Sequence, residues 1–158
     1  MSPKSPHRIA SHIRGHVVAY VALFLGLFLV APAAAGAGVK VDAGGLHTCA
    51  VKADAKVACW GNDADGQVSG APTDDFRSVS AGAYHSCGVK ANAKVACWGY
   101  DGDGRVSWAP VAHFRSVSAG GYHSCGVKAS GTVACWGYNA YGQTDPPPGL
   151  GDPPPELG

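Results

Sequence analysis

From Phe114 to Gly137 the chain alternates polar and apolar positions in short runs, each ending at small, turn-forming residues. Arg115 to Ser118 alternates with a period of two and predicts a short strand. Gly120-Gly121 marks a tight turn, where glycine bears a positive φ without steric cost. His123 to Lys128 predicts a second strand, and Thr132 to Gly137 a third. Ala129-Ser130-Gly131 between them predicts a three-residue hairpin loop with glycine at the left-handed position. Tyr138 to Tyr141 is a loop, and Gly142 to Thr144 is the candidate for a short fourth strand.

The same pattern occurs three times. FRSVSAGGYHSCGVKASGTVACWGYNAYGQ begins at Phe114, FRSVSAGAYHSCGVKANAKVACWGYDGDGR at Phe76, and GVKVDAGGLHTCAVKADAKVACWGNDADGQ at Gly38. His47, His85 and His123 are spaced 38 residues apart, as are Trp60, Trp98 and Trp136. A fixed period of this length specifies a repeat architecture. The units run over about 36–72, 73–110 and 111–148. Phe76–Ala91 and Phe114–Ala129 match at 15 of 16 positions, the mark of recent duplication.

Register places the cysteines. If Lys128 faces Thr132, then Val127 faces Val133 and Cys125 faces Cys135. The other copies pair Cys49 with Cys59 and Cys87 with Cys97 in the same way. Opposed Cβ atoms on neighbouring strands lie within disulfide reach. Alternation then sorts the faces. Cys125, Val127, Val133 and Cys135 point one way, and Ser124, Gly126, Ala134 and Trp136 the other. Small residues around the tryptophan leave room for a neighbouring sheet, so both faces are suited to burial between like units. Ala55 and Ala93 stand where the third copy has Gly131, which implies either a left-handed alanine or a different turn.

The N-terminus has another pattern. Met1 to His16 is polar and basic, and Val17 to Val30 is uncharged and apolar. Small residues follow. This is the order of a signal peptide over residues 1–35, cut after Ala33-Ala34-Ala35 to leave Gly36 as the new N-terminus. The competing reading is an uncleaved membrane anchor, because Val17 to Ala35 approaches the length that spans a bilayer. With Lys4, Arg8 and Arg14 held inside, both readings place the repeats outside the cytoplasm. Six cysteines, two in each repeat, agree with an oxidising compartment. At the other end, DPPPGLG-DPPPELG from Asp145 favours extended polyproline structure. Residues 149–158 are read as an exposed, disordered tail acting as a spacer.

Charge narrows the partners. The whole chain carries +1, but without Lys4, Arg8 and Arg14 nine basic residues face eleven acidic ones, a net −2. A weakly acidic domain without a basic stripe does not fit nucleic-acid binding. Charged residues make up only 15% of the chain and glycine is abundant, which suits an all-β domain of many tight turns.

The order V-x-A-G-x-x-H-x-C, a hairpin, V-x-C-W-G and then G-Q resembles the regulator of chromosome condensation repeat. It is most similar to the bacterial secreted variety with paired cysteines. The matching positions in the third copy are Ala119, Gly120, His123, Cys125, Val133, Cys135, Trp136, Gly137, Gly142 and Gln143. The resemblance covers about Gly38 to Pro148. It implies a β-propeller in which each repeat supplies roughly one four-stranded blade. It also implies a protein-binding scaffold; the family includes an exchange factor for a nuclear small GTPase and a secreted inhibitor of β-lactamases. Three blades are fewer than the four to eight that close a ring. The expectation is therefore an incomplete or open propeller with two exposed apolar blade faces, which a homo-oligomer could complete.

Candidate chemistry changes little. His47, His85 and His123 with six cysteines invite a zinc reading. However, H-x-C-x9-C puts both cysteines on one hairpin, and disulfides with structural histidines fit better. Asn62 to Gly66 and Asp101 to Gly104 faintly resemble calcium loops without the later glutamate, and read as turn residues. No nucleophile elbow, zinc-protease helix or phosphate loop is present in the sequence. No catalytic residue, metal site or cofactor is predicted. Tyr100, Trp108, Tyr138 and Tyr141 lie in or beside the loops after Trp-Gly and are the candidate binding rim for an unidentified protein partner. The leading functional reading is a secreted or surface-exposed, non-enzymatic binding module that inhibits or scaffolds an extracellular partner. Nucleotide exchange by family analogy and an extracellular hydrolase using the histidines are the alternatives.

Overall fold

The computed structural model describes residues 39–151. The signal or anchor segment and residues 152–158 of the Pro-rich tail lie outside the described residues. Among the described residues every regular element is a β-strand. Each repeat forms one three-stranded antiparallel sheet in sequence order. The first blade comprises β1 (Lys40–Ala43), β2 (His47–Val51) and β3 (Val57–Gly61). The second comprises β4 (Phe76–Ala81), β5 (His85–Lys90) and β6 (Val95–Gly99). The third comprises β7 (Phe114–Ala119), β8 (His123–Lys128) and β9 (Val133–Gly137).

The hairpin register is the one that the alternation implies. Cys49 faces Cys59, Cys87 faces Cys97 and Cys125 faces Cys135, and all three pairs are disulfides with Cα–Cα distances of 4.1, 4.0 and 4.0 Å. The loop beside each bridge settles the alanine question. Ala55 and Ala93 adopt φ of 64° and 65°, in the left-handed region that Gly131 occupies at 96°. The turn is thus the same in all three copies, and two of them hold alanine in a conformation that crowds its Cβ.

The segment Gly142–Thr144 does not form a fourth strand; it is a turn. Its backbone groups are satisfied locally instead. Thr144 N–H donates to Asn139 Oδ1, and Gly142 N–H donates to the Asn139 carbonyl. The same loop in the earlier copies is closed by Asp63 Oδ1, which accepts from Val68 and Ser69, and by Asp101 Oδ1, which accepts from Val106 and Ser107. With these donors already used inside the loop, little remains for a sheet ladder.

The blades stack through unlike faces. Cys49, Val51, Val57 and Cys59 of the first blade pack against Phe76, Ala81 and Trp98 of the second. Cys87, Val89, Val95 and Cys97 of the second pack against Phe114, Ala119 and Trp136 of the third. Trp98 and Trp136 are both buried, and Phe76 and Phe114 meet them edge-on at ring separations of 5.9 and 6.1 Å. Gly88 and Gly126 make room for those phenyl rings, since a Cβ there would lie 2.6 Å from the ring carbons. The first copy lacks the pair: Gly38 stands in place of phenylalanine and Ala50 in place of the glycine. Its Trp60 is 53% exposed, because no blade precedes it among the described residues.

Candidate functional site

Two sets of side chains sit at the same end of the blades, where the first strand turns into the second and where the third strand leaves. One set is buried and joins blades. His47 Nε2 lies 2.7 Å from Ser86 Oγ in the next blade, and His85 Nε2 lies 2.8 Å from Ser124 Oγ. Each serine hydroxyl is also 3.4 Å from a disulfide sulfur, Cys49 for Ser86 and Cys87 for Ser124. With Nε2–H donating to the serine and the hydroxyl turned to sulfur, Nδ1 carries only a lone pair. That tautomer suits the buried Nδ1 atoms of His47 and His85, which have no hydrogen-bond partner. Burial pushes the His85 pKa down to about 4, helped by the Arg105 guanidinium, and burial also lowers that of His47. These two histidines are therefore neutral joints between blades.

The metal readings find other occupations for their residues. Both cysteines of each repeat are oxidised, and no group of three His, Cys, Asp or Glu side chains converges among the described residues. Asp63 and Asp101 close their own loops rather than facing outward. Backbone and side-chain hydrogen bonds from Ser69 and Val68 hold Asp63 below its ordinary pKa.

The second set is aromatic and exposed. Tyr84 contacts Tyr122 at a ring separation of 5.7 Å, Tyr122 contacts Tyr138 at 6.1 Å, and Tyr138 contacts Tyr141 at 6.2 Å. Arg105 anchors this row. It is 1% exposed, and its guanidinium carbon lies 4.9 Å from the centroid of Tyr100 and 5.0 Å from that of Tyr122. The guanidinium also pairs with Asp103 and donates to the Gly121 carbonyl at 3.2 Å. A buried arginine with these partners makes a rigid platform beneath the rings. Gln67 takes this position in the first copy, donating to Asn62 Oδ1. The three copies combine these positions differently: Asn62 with Gln67, Tyr100 with Arg105 and Tyr138 with Gln143.

Three of the four predicted rim residues, Tyr100, Tyr138 and Tyr141, fall in this assembly. Trp108 stands apart, 65% exposed and packed over Gly104, where an added Cβ would lie 2.0 Å from the indole. Tyr84 and Tyr122 are the residues that sequence reasoning missed. Both directly precede a repeat histidine, 38 residues apart, and that spacing was the available signal. A cavity of about 680 Å³ opens beside the row, lined by Tyr122, His123, Tyr138, Tyr141, Asp103 and Gln143. A smaller one of about 260 Å³ lies among Asp65, Tyr84, Tyr100 and Tyr122.

Comparison with known proteins agrees with this geometry. The chain is 31% identical to the CRINKLY WD40 ectodomain of the Arabidopsis thaliana receptor kinase ACR4, with a TM-score of 0.55 over 62% of this chain and 37% of that one. It is 30% identical to the ectodomain of the Physcomitrella patens receptor kinase CR4, with a TM-score of 0.56 over 63% of this chain and 28% of that one. Yeast RCC1 (Prp20), in its complex with Kap60, shares the fold at 22% identity and a TM-score of 0.55, over 63% of this chain and 32% of that one. The chain thus spans about a third of the length of these structures. No curated protein matches it. The model of the regulator of chromosome condensation (RCC1) repeat matches residues 39–67, 76–105 and 114–143, more than half of the chain, and the protein belongs to that repeat family.

Proposed function

We propose that this protein is a non-enzymatic, protein-binding module that works outside the cytoplasm. The observation that carries the reading is the tyrosine row Tyr84–Tyr122–Tyr138–Tyr141, held at Tyr122 by the buried Arg105. Tyrosines held rigidly on loops lose little entropy on binding and supply both apolar area and a hydroxyl, the chemistry of interface anchors. The hydroxyl of Tyr122 beside Tyr84 raises the Tyr84 pKa, so Tyr84 keeps its proton across the physiological range. Three disulfides and the likeness to two receptor ectodomains support an oxidising, extracellular setting. Yeast Prp20, of the same fold, is itself bound to Kap60. The histidines support binding rather than catalysis, because His47 and His85 are used as inter-blade joints.

The test is affinity capture from the extracellular fraction of the source organism with the full chain and with a Tyr122→Ala/Tyr138→Ala/Tyr141→Ala variant. The expected result is a protein retained by the native chain and lost at least tenfold by the variant, with disulfides intact in both. Equal capture by the two would overturn the reading.

A further inference from the structure

The two contacts between blades within the chain are copies of one another, shifted by 38 residues. From each blade to the next, a histidine reaches a serine, as His47 to Ser86 and His85 to Ser124. The following blade's indole N–H returns to a loop carbonyl of the preceding repeat, from Trp98 to Gln67 and from Trp136 to Arg105. A side-chain oxygen on the first strand accepts the next blade's backbone N–H, that of Asp42 from Ala81 and that of Ser80 from Ala119. The apolar part sets a cysteine–valine face against a tryptophan face.

Both halves of this contact recur at the open ends. The third blade presents His123, Ser118, the Gln143 carbonyl and the face of Cys125, Val127 and Val133. The first blade presents Thr48 at the serine position, Trp60 at the indole position, the Ala43 N–H, and Val41 and Ala58 on the tryptophan face. Thr48 keeps the hydroxyl that the histidine contact needs. Trp60 and Val41 are 53% and 65% exposed. The third blade's face carries a shallow recess of about 260 Å³ along Ser116, Ser118, Cys125, Val127 and Val133. The 680 Å³ cavity beside it is bordered by His123 and Gln143, two of the groups that face the next blade by the same 38-residue logic.

From this complementarity we infer that the third blade of one copy receives the first blade of a second copy, and that two chains close a six-bladed ring head to tail. His123 then meets Thr48 of the second copy, Trp60 of the second copy donates to the Gln143 carbonyl, and Ser118 accepts from its Ala43 N–H. Six blades lie within the range at which propellers close. Unlike-face contacts form a ring wherever their rotation closes. Leu46 of the second copy falls beside Tyr122, as Tyr122 falls beside Tyr84, so the tyrosine row is extended rather than covered.

The test uses the full chain in two differently tagged forms, with Trp60→Arg blocking one face and Ser118→Arg the other. Both positions are exposed, so each variant retains the fold, checked by complete disulfide formation. Native copies are expected to capture one another as a particle with the mass of two chains. Each variant alone loses self-capture at least tenfold. Mixing Trp60→Arg with Ser118→Arg restores capture, because one unblocked pairing remains. Failure of native copies to associate, association indifferent to either substitution, or assemblies of three or more chains would each overturn the proposal. None of these readouts depends on the tyrosine row or on its partner.

Discussion

His85 Nε2 and Ser124 Oγ lie 2.8 Å apart across the boundary between the second and third blades, and both residues are 0% exposed. Ser124→Ala would leave the imidazole N–H buried without an acceptor, at a cost of about 1–3 kcal/mol. Ser86→Ala should cost a similar amount through His47. The midpoint of chemical denaturation reads both. A change below about 0.5 kcal/mol for both variants would show that the joint is not an energetic element, since that is the ordinary range for an inconsequential substitution.

The same histidine makes stability depend on acid. Burial first, then Arg105 and the His47 and His123 rings, holds the folded His85 pKa down to about 4, with Asp101 opposing. Unfolded, the ring titrates near 6.5. Between those values the unfolded chain binds a proton that the folded chain does not. Stability is therefore whole above pH 7, falls as the pH drops towards 4, and levels off for this group below that. The loss is about 3 kcal/mol. His47 adds to it with the same sign. Asp63, whose pKa is lowered, acts in a separate window below its ordinary value of 3.8. Denaturation at pH 7.5 and pH 4.5, with His85→Gln as the control, measures the effect. An equal slope in the control would assign the acid sensitivity elsewhere.

How far these joints were legible depends on whether both partners lay within one repeat. Cys125 and Cys135 sit on one hairpin, so counting from the loop gives their pairing. Trp136 could be assigned a packing face because its neighbours Gly126 and Ala134 are small. His85 and Ser124 are 39 residues apart, and nothing local says that the histidine reaches into the following copy. The candidate fourth strand at Gly142–Thr144 turned on backbone partners, which the identity of its side chains does not reveal. Asn139 Oδ1 and the Gln143 side chain had already taken the backbone donors of Thr144 and Tyr141. Arg105 stands where the other two repeats have glutamine, and it is the anchor of the aromatic row. Its role depends on Tyr100 and Tyr122, which approach it only in the folded chain.

The hairpin loops offer a stabilising change. Ala55 and Ala93 hold φ near 65°, where glycine carries no Cβ strain. Ala55→Gly and Ala93→Gly should each raise stability by about 0.5–1 kcal/mol, the relief of left-handed strain less the added entropy of the unfolded chain. Gly131→Ala should lower it by a similar amount. Thermal unfolding of the three single variants decides. Destabilisation by both glycine substitutions would mean that unfolded-state entropy outweighs the relief.

The inner turns of the blades approach one another most closely at glycine. A Cβ on Gly82 would lie 2.3 Å from the Gly120 carbonyl oxygen of the next blade, and one on Gly44 would lie 2.3 Å from the Gly82 oxygen. These neighbours are backbone atoms pinned by their own bonds: Gly45 N–H donates to the Gly82 carbonyl and Ala83 N–H to the Gly120 carbonyl. Neither oxygen can retreat without losing that bond, so Gly82→Ala should destabilise by about 2–3 kcal/mol, the upper part of the range for overpacking. Gly120 occupies the same position in the third blade, but there the nearest atoms to an added Cβ belong to the His123 ring, at 2.9 and 3.2 Å. A side chain can rotate where a carbonyl cannot. Gly120→Ala should therefore cost the separate arc less than 1 kcal/mol, and it should weaken head-to-tail pairing, where the Gly44 carbonyl of the second copy takes the place that Gly120 takes for Gly82. Equilibrium unfolding of Gly82→Ala and Gly120→Ala, each paired with a measurement of self-capture, separates the two effects. Equal destabilisation by the two variants, with pairing unchanged in Gly120→Ala, would rule out this account of the turns.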